Sequence, residues 1–325
     1  MHVQTVSGPV EPQGLGGVLM HEHVGALALE GFYGAEPGDQ TLVEGALRRL
    51  PEMGIGTIVD LTGRTRVEKG YDFEAVASLS QRIGVHIVIG HSYYKDPWLE
   101  HAGVSELDEL TEVYINGAVG GAGGVEAGIF GEVGTSLDQI TPREELHMRA
   151  VARAHVATGL AISTHCTLGT MAVEQAKILL AEGADPSRVV IGHLDLEPEI
   201  DYLEQVLDTG VSLGFDTWGK EWFDYRVPGS EHDGFGEFVK WTYHRSDERR
   251  IAALAELCAR GHDDRIVLSC DMSGAEAWMN PDTHGRFGFS YLPTVVTTRL
   301  REAGVSEQSL RRMLVENPAR ILAIP

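Results

Sequence analysis

The stretch GVLMHEHV, residues 17 to 24, sets two histidines around one glutamate at the end of an apolar run. On a β-strand, residues i and i+2 project from one face, so His21 and His23 point together while Glu22 points the other way. Two imidazoles on one face can chelate a metal, and two polar residues can equally well end a strand with no such role. The choice between these readings rests on what else the chain brings to the same place.

Working outward, the phrase recurs. Short apolar runs that end in polar residues appear as GGVLMHEH (16–23), GTIVDLTG (56–63), VHIVIGHS (85–92), EAGIFGEVGTS (126–136), LAISTHC (160–166), RVVIGHLD (188–195), VSLGFDTWG (211–219) and RIVLSCDMS (265–273). Between them lie segments with helix starts and closing glycines, such as 142–159 and 169–183. Apolar runs bounded by turn signals suit buried parallel strands. Eight strand and helix alternations in 325 residues predict an α/β fold, a (β/α)8 TIM barrel occupying 1–325 as one domain. The glycine-rich patch GAVGGAGGVEAG (117–128) precedes a strand instead of opening a helix, so it reads as an approach to the fourth strand and not as a phosphate cradle.

Composition narrows the partners. A net charge of −22 repels phosphate backbones and anionic lipid, so neither nucleic acid nor a membrane is expected. No apolar run approaches the roughly 18 residues of a membrane span. The start, MHVQTVSGPVEPQG, lacks the basic and apolar regions of a secretory signal. Cys166, Cys258 and Cys270 are too scattered for a disulfide framework, and a reducing, cytoplasmic setting is expected.

In a barrel of this kind the active site lies at the C-terminal ends of the strands. His21 and His23 end the first strand, Glu132 the fourth, His165 the fifth, His193 the sixth and Asp271 the eighth. Four imidazoles and two carboxylates on one rim can hold two divalent ions if one carboxylate bridges them. Nitrogen and oxygen donors suit zinc, manganese, cobalt or iron. Two ions about 3.5 to 4 Å apart can hold a hydroxide between them, the expected nucleophile. Asp271 would ligate one ion and serve as general base and acid. By strand alternation Cys166 and Cys270 turn toward the helices as small apolar residues.

The motifs HEHV, GEVGTS followed by ITPREE, STHC, IGHLD, GFDTWG, SCDMS and the terminal ENPAR together resemble the phosphotriesterase family of the amidohydrolase superfamily, over nearly the whole chain. Within it the chain is most similar to the phosphotriesterase homology proteins. The resemblance implies an amidohydrolase-type barrel in which His21, His23 and Asp271 hold a buried ion, His165 and His193 a more exposed one, and Glu132 bridges. The best-known members bridge with a carboxylated lysine, and here Lys95 and Lys177 do not end the fourth strand. Relatives hydrolyse lactones, phosphorylated sugar lactones or N-acyl amino acids. The expected activity is therefore hydrolysis of a small ester or lactone by a metal-bridging hydroxide. Phosphotriester or phosphodiester cleavage and N-acyl amino acid hydrolysis are the alternatives, and a metal-containing binding protein is the rival from another class. A homodimer is what the resemblance suggests.

Further candidates surround this set. Asp216 ends the seventh strand, where the resemblance implies a proton relay; capping a helix or pairing with a histidine is the other reading. Arg245 falls where relatives place a basic side chain, or on a solvated surface. Tyr93, after the third strand, reads either as a hydrogen bond to an ester or lactone oxygen or as a packed ring. Lys220, Arg226 and Arg286 lie in the long segments after strands seven and eight, where barrels grip phosphate or carboxylate, or on the surface. Trp218, Trp222, Trp278 and Phe287 would wall the pocket. His91 and His244 are left as solvent-facing or supporting residues.

Overall fold

Each of the eight apolar runs forms a parallel strand, and the strands are hydrogen-bonded in chain order. A short antiparallel hairpin, β1 (Val3–Thr5) and β2 (Gly8–Val10), precedes them. The barrel strands are β3 (Gly17–Glu22), β4 (Ile55–Asp60), β5 (His86–His91), β6 (Ile129–Thr135), β7 (Ala161–Cys166), β8 (Val189–Ile191), β9 (Ser212–Phe215) and β10 (Ile266–Leu268). The computed structural model describes residues 1–24, 44–62, 73–120, 124–220, 246–272 and 288–325. None of the described helices is long and apolar enough to cross a membrane.

Helices follow the strands and cover them: α1 (Phe73–Ile83), α2 (Leu107–Val119), α3 (Pro142–Thr158), α4 (Ala172–Ala181), α5 (Ile200–Leu207) and α6 (Asp247–Ala259), with α7 (Thr297–Glu302), α8 (Glu307–Arg311) and α9 (Asn317–Leu322) at the C-terminus. The α3 start shows why a sequence signal becomes a boundary. Thr141 Oγ1 accepts the Glu144 backbone N–H at 3.1 Å, and Glu144 Oε2 accepts the Thr141 N–H at 2.8 Å. Pro142 occupies the first turn, where its missing N–H costs nothing. Ser136 Oγ donates to the other Glu144 oxygen, which pins this helix to the end of β6.

Alternation along the strands builds two apolar layers. Val18, Met20, Val59, Leu61, Val88, Ile129, Ala161, Val190 and Val267 fill one cluster, closed off by Leu15, Ile321 and Leu322. Leu19, Ile58, Ile87, Phe130, Ile162, Ile191, Leu213 and Leu268 pack in the other, with the helices. The first is the barrel interior and the second the layer between strands and helices. At the mouth the alternation breaks. Strict period two from Val18 and Met20 would send His21 and His23 outward with Leu19. The ladder of β3 against β4 shifts register between Leu19 and Glu22, and that of β6 against β7 between Phe130 and Val133, so the polar ends re-aim.

Glu22 closes the ring between β3 and β10. Its buried carboxylate accepts Ser269 Oγ at 2.7 Å and the Cys270 N–H at 2.9 Å on one oxygen, and the Met272 N–H at 2.7 Å on the other. The Asp271 N–H donates to the His21 carbonyl at 3.0 Å, and the His23 N–H to the Met272 carbonyl at 3.1 Å. Thus the residue that separates the two histidines sets the backbone on both sides of Asp271. Glu22→Gln replaces one acceptor with an amide N–H that would face donors. Burial lifts Glu22 to about 7 against these three donors, so above that pH, where it is ionised, we expect a loss of about 1.5–3 kcal/mol in chemical denaturation of the metal-free protein, as for a hydrogen bond to a charged group; an unchanged midpoint there would contradict this clamp.

Candidate metal centre

Glu132 lies at the centre of the mouth, buried, with imidazoles around it. Its Oε2 is 2.9 Å from His165 Nδ1, 3.4 Å from His21 Nε2 and 3.6 Å from His193 Nε2. Its Oε1 is 3.5 Å from His23 Nε2. Asp271 Oδ1 stands 2.8 Å from His23 Nε2 and 3.8 Å from His21 Nε2. The six residues singled out at the strand ends therefore meet, and they do so in two overlapping groups. Donor atoms of His21, His23 and Asp271 lie within 4.8 Å of one another, as do those of His21, Glu132 and His193. His165 joins the second group, its Nδ1 2.8 Å from His193 Nε2.

Local backbone explains how the strand ends deliver these groups. β8 stops at Ile191, and His193 takes φ +62°, which turns its ring out of the strand's alternation and inward. Asp271 has φ +51°. A non-glycine residue in this region costs of order 1–3 kcal/mol and persists where neighbours hold it; at Asp271 those neighbours are the bonds to Glu22 and His21. Gly192 is required beside His193: a Cβ there would lie 2.3 Å from the Thr164 carbonyl oxygen.

The donor set fits divalent metal by its own chemistry. His21 Nε2 is buried and makes no hydrogen bond. Asp216 accepts from the outer nitrogens of two rings, His193 Nδ1 at 2.8 Å and His21 Nδ1 at 3.2 Å, and also the His193 backbone N–H at 2.8 Å. A ring that gives Nδ1–H to a carboxylate presents a bare Nε2 lone pair, as metal-ligating histidines do. Electrostatics repeats the message. Burial presses the imidazoles toward neutrality, yet Asp216 and Glu132 outweigh it, raising His193 to about 9 and His21 well above its ordinary value. Burial would raise Glu132, but the surrounding imidazoles hold it well below the carboxylate range. Burial and the neighbouring His193 push His165 down to about 3. The cluster draws positive charge inward, and nitrogen with oxygen donors and no thiolate suits zinc, manganese, cobalt or iron. Cys166 and Cys270 lie buried in the apolar layer.

The other expectations divide. Asp216 sits between His21 and His193. Lys220 Nζ reaches Asp271 Oδ2 at 2.5 Å, and with His23 it outweighs burial to hold that carboxylate well below its ordinary range. Trp218 does not line an open wall; it is fully buried beside Phe215, ring centroids 6.3 Å apart. Tyr93 is corrected: it packs edge-on against Tyr114 at 5.6 Å and near His91 and His147 in the apolar layer. Tyr94, one residue on with φ +70°, places its hydroxyl 3.2 Å from His165 Nε2. Arg245, Arg226, Arg286, His244, Trp222, Trp278 and Phe287 lie outside the described residues.

Two further residues escaped the sequence reading. Lys95 is fully buried, with Nζ 2.8 Å from Thr167 Oγ1, next to His165. Arg250, also fully buried, binds the Thr217 and Lys220 carbonyls at 3.0 and 3.1 Å and Asp247 Oδ1 at 2.7 Å, which anchors the segment after β9 to α6. A charged residue inside an otherwise helical or loop pattern carries no sequence mark of burial; only the tertiary neighbours reveal it.

Comparison with known proteins gives the family. Residues 1–322 match the model of the phosphotriesterase family. The phosphotriesterase homology protein of Escherichia coli is 32% identical over 311 residues, covering 94% of this chain and 97% of that protein. The N-acetyltaurine hydrolase of Salmo salar is 27% identical over 362 residues, 98% of this chain and 97% of that one. The crystal structure of a mutant PTE-like lactonase from Deinococcus radiodurans superposes with a TM-score of 0.79 at 28% identity, covering 99% of this chain and all of the other. By these matches and by its fold, the chain belongs to the phosphotriesterase family and is a hydrolase with metal-competent residues at its barrel mouth.

Proposed function

We propose that this chain binds two divalent ions at the barrel mouth, bridged by Glu132, and hydrolyses a small ester or lactone. His21, His23 and Asp271 would hold one ion, His165 and His193 the other. The observation that carries this reading is the convergence of four imidazoles on Glu132, with Asp271 beside His21 and His23, in two overlapping groups, and with Nε2 of His21 buried and unsatisfied. Bound there, two ions would supply an activated water at neutral pH and polarise the scissile carbonyl.

The side chains have distinct parts in that reaction. Asp271 accepts the proton of the attacking water and returns it to the leaving group, since one of its oxygens faces the donor cluster and the other faces Lys220. Asp216 keeps His21 and His193 in the Nδ1–H form, so their Nε2 lone pairs face inward. Tyr94 stands at the His165 side of the mouth, where a substrate oxygen would approach. Lys220 is a cation beside the reacting carboxylate, placed to meet an anionic tail.

A second reading is hydrolysis of an N-acyl amide. It is favoured by the N-acetyltaurine hydrolases among the relatives, and a tail of that kind suits the charge of Lys220. A panel of lactones, aryl esters, N-acyl amino acids, N-acyltaurines and phosphotriesters, assayed with zinc or manganese, separates the readings. The greatest kcat/KM is expected on a lactone or ester. An amide preference would move the assignment to the second reading, and no turnover of any carbonyl substrate would overturn both. Asp271→Asn is expected to lower kcat by about 10² to 10⁴, the usual range for a positioned acid–base group, while elemental analysis still finds at least one ion per chain. Full activity in that variant would remove Asp271 from the proton transfer.

A further inference from the structure

We propose that Lys95 and Thr167 form a relay that fixes His165 as an Nδ1 metal donor. Lys95 is thus a positioning residue for the second ion, acting through the Thr167 hydroxyl. The inference rests on the reading of His165 as a ligand.

The geometry limits where the Thr167 hydrogen can go. Thr167 Oγ1 is 2.7 Å from the Thr135 carbonyl oxygen, which can only accept, so the single hydroxyl hydrogen goes there. Lys95 Nζ, 2.8 Å from the same Oγ1, has hydrogens to give and occupies one lone pair. The other lone pair faces His165 Nε2 at 3.2 Å. With its hydrogen committed, Thr167 can only accept from the ring; the Tyr94 hydroxyl, 3.2 Å from the same nitrogen, can turn to accept as well, so a proton on Nε2 satisfies both oxygens, whereas a bare Nε2 would face the Thr167 lone pair. Nδ1 is then bare, and Nδ1 is the atom 2.9 Å from Glu132 Oε2 and 2.8 Å from His193 Nε2.

His165 thereby differs from its neighbours. His21 and His193 are held by the Asp216 carboxylate and present Nε2; His165 presents the opposite nitrogen and has no carboxylate on its outer side among the described residues. A hydroxyl alone would not settle the tautomer, since it gives or accepts with equal ease. The Thr135 carbonyl takes the hydroxyl hydrogen, and the Lys95 ammonium, which can only donate, fills the neighbouring lone pair and holds the oxygen in that orientation. Burial makes the arrangement stiff: Lys95, Thr135 and Thr167 are all at most 2% exposed. Gln175 Nε2 adds bonds to Thr135 Oγ1 at 2.7 Å and to the His165 carbonyl at 3.0 Å, which fixes the backbone that presents both ends of the relay.

Zinc titration of the metal-free full chain, in competition with a chromophoric chelator, tests the relay in wild type, Thr167→Val, Thr167→Ser and Lys95→Met. Wild type is expected to take two ions. Thr167→Val and Lys95→Met should keep one ion at wild-type affinity and bind the other about 10- to 100-fold more weakly, the usual cost of losing such a supporting contact. Thr167→Ser, which retains the hydroxyl, should restore it. Wild-type affinity in Thr167→Val or Lys95→Met, equal weakening of both ions, or no rescue by serine would overturn the relay while leaving the centre intact. A wild-type chain that takes no zinc would overturn the centre and the relay together. Should a variant not fold, the zinc-loaded wild type still decides: its long-range ¹H–¹⁵N spectrum should show His165 protonated at Nε2, and protonation at Nδ1 would overturn the relay.

Discussion

A carboxylate buried among imidazoles governs the mouth of this barrel. Glu132 is only 4% exposed and has nitrogen atoms of four histidines between 2.9 and 3.6 Å away. Water cannot stabilise its charge there, and Asp216 and Asp271 add two more buried or nearly buried acids to the same neighbourhood. Buried charge of one sign must be matched or neutralised. Without cations the histidines must take up protons, which is the direction in which His21 and His193 are pushed. Divalent ions would answer the same demand, since the lone pairs are aimed where they would sit; on the proposed reading the cluster is a binding site instead of a costly knot of core polar groups.

The scaffold serves that demand by departing from regularity where the strands end. Below the mouth the inward side chains pack as an apolar plug; at the mouth, register shifts in β3 and β6 and left-handed residues at His193 and Asp271 redirect side chains inward. Such local strain must be held by neighbours. Glu22 holds the Cys270 and Met272 amides on either side of Asp271, and Asp216 holds the His193 amide as well as its ring. The metal-competent side chains are thus fixed from the backbone outward, which is how a precise site is kept on a rigid element.

Much of this was legible in the sequence, for a physical reason. Parallel strands buried on both faces need continuous apolar runs, and eight such runs are visible; the first polar residues after them must stand at the rim. That reasoning reached His21, His23, Glu132, His165, His193, Asp216 and Asp271 without coordinates. It failed where a single residue of register matters. Tyr93 and Tyr94 are adjacent, and the turn after β5, with φ +70° at Tyr94, reverses which of them faces the mouth. The expected strands also ran longer than the observed β8, β9 and β10, because the chain leaves the ladder before its polar residues begin. The hairpin at Val3–Val10 is too short to show alternation. Glu22, Lys95 and Thr167 were invisible as supporting residues, since their importance lies in which donors they meet across the barrel.

Chemistry and family then meet at one point. The phosphotriesterase family supplies hydrolysis, and the mouth supplies an ordered set of lone pairs, the Asp271 carboxylate and a neighbouring cation. The most direct test is a crystal structure of the zinc-soaked protein with anomalous data collected across the zinc edge. Two peaks on either side of the Glu132 carboxylate are expected, one against His21, His23 and Asp271 and the other against His165 and His193. An empty mouth, or zinc held only at sites that do not touch Glu132, would contradict a shared centre.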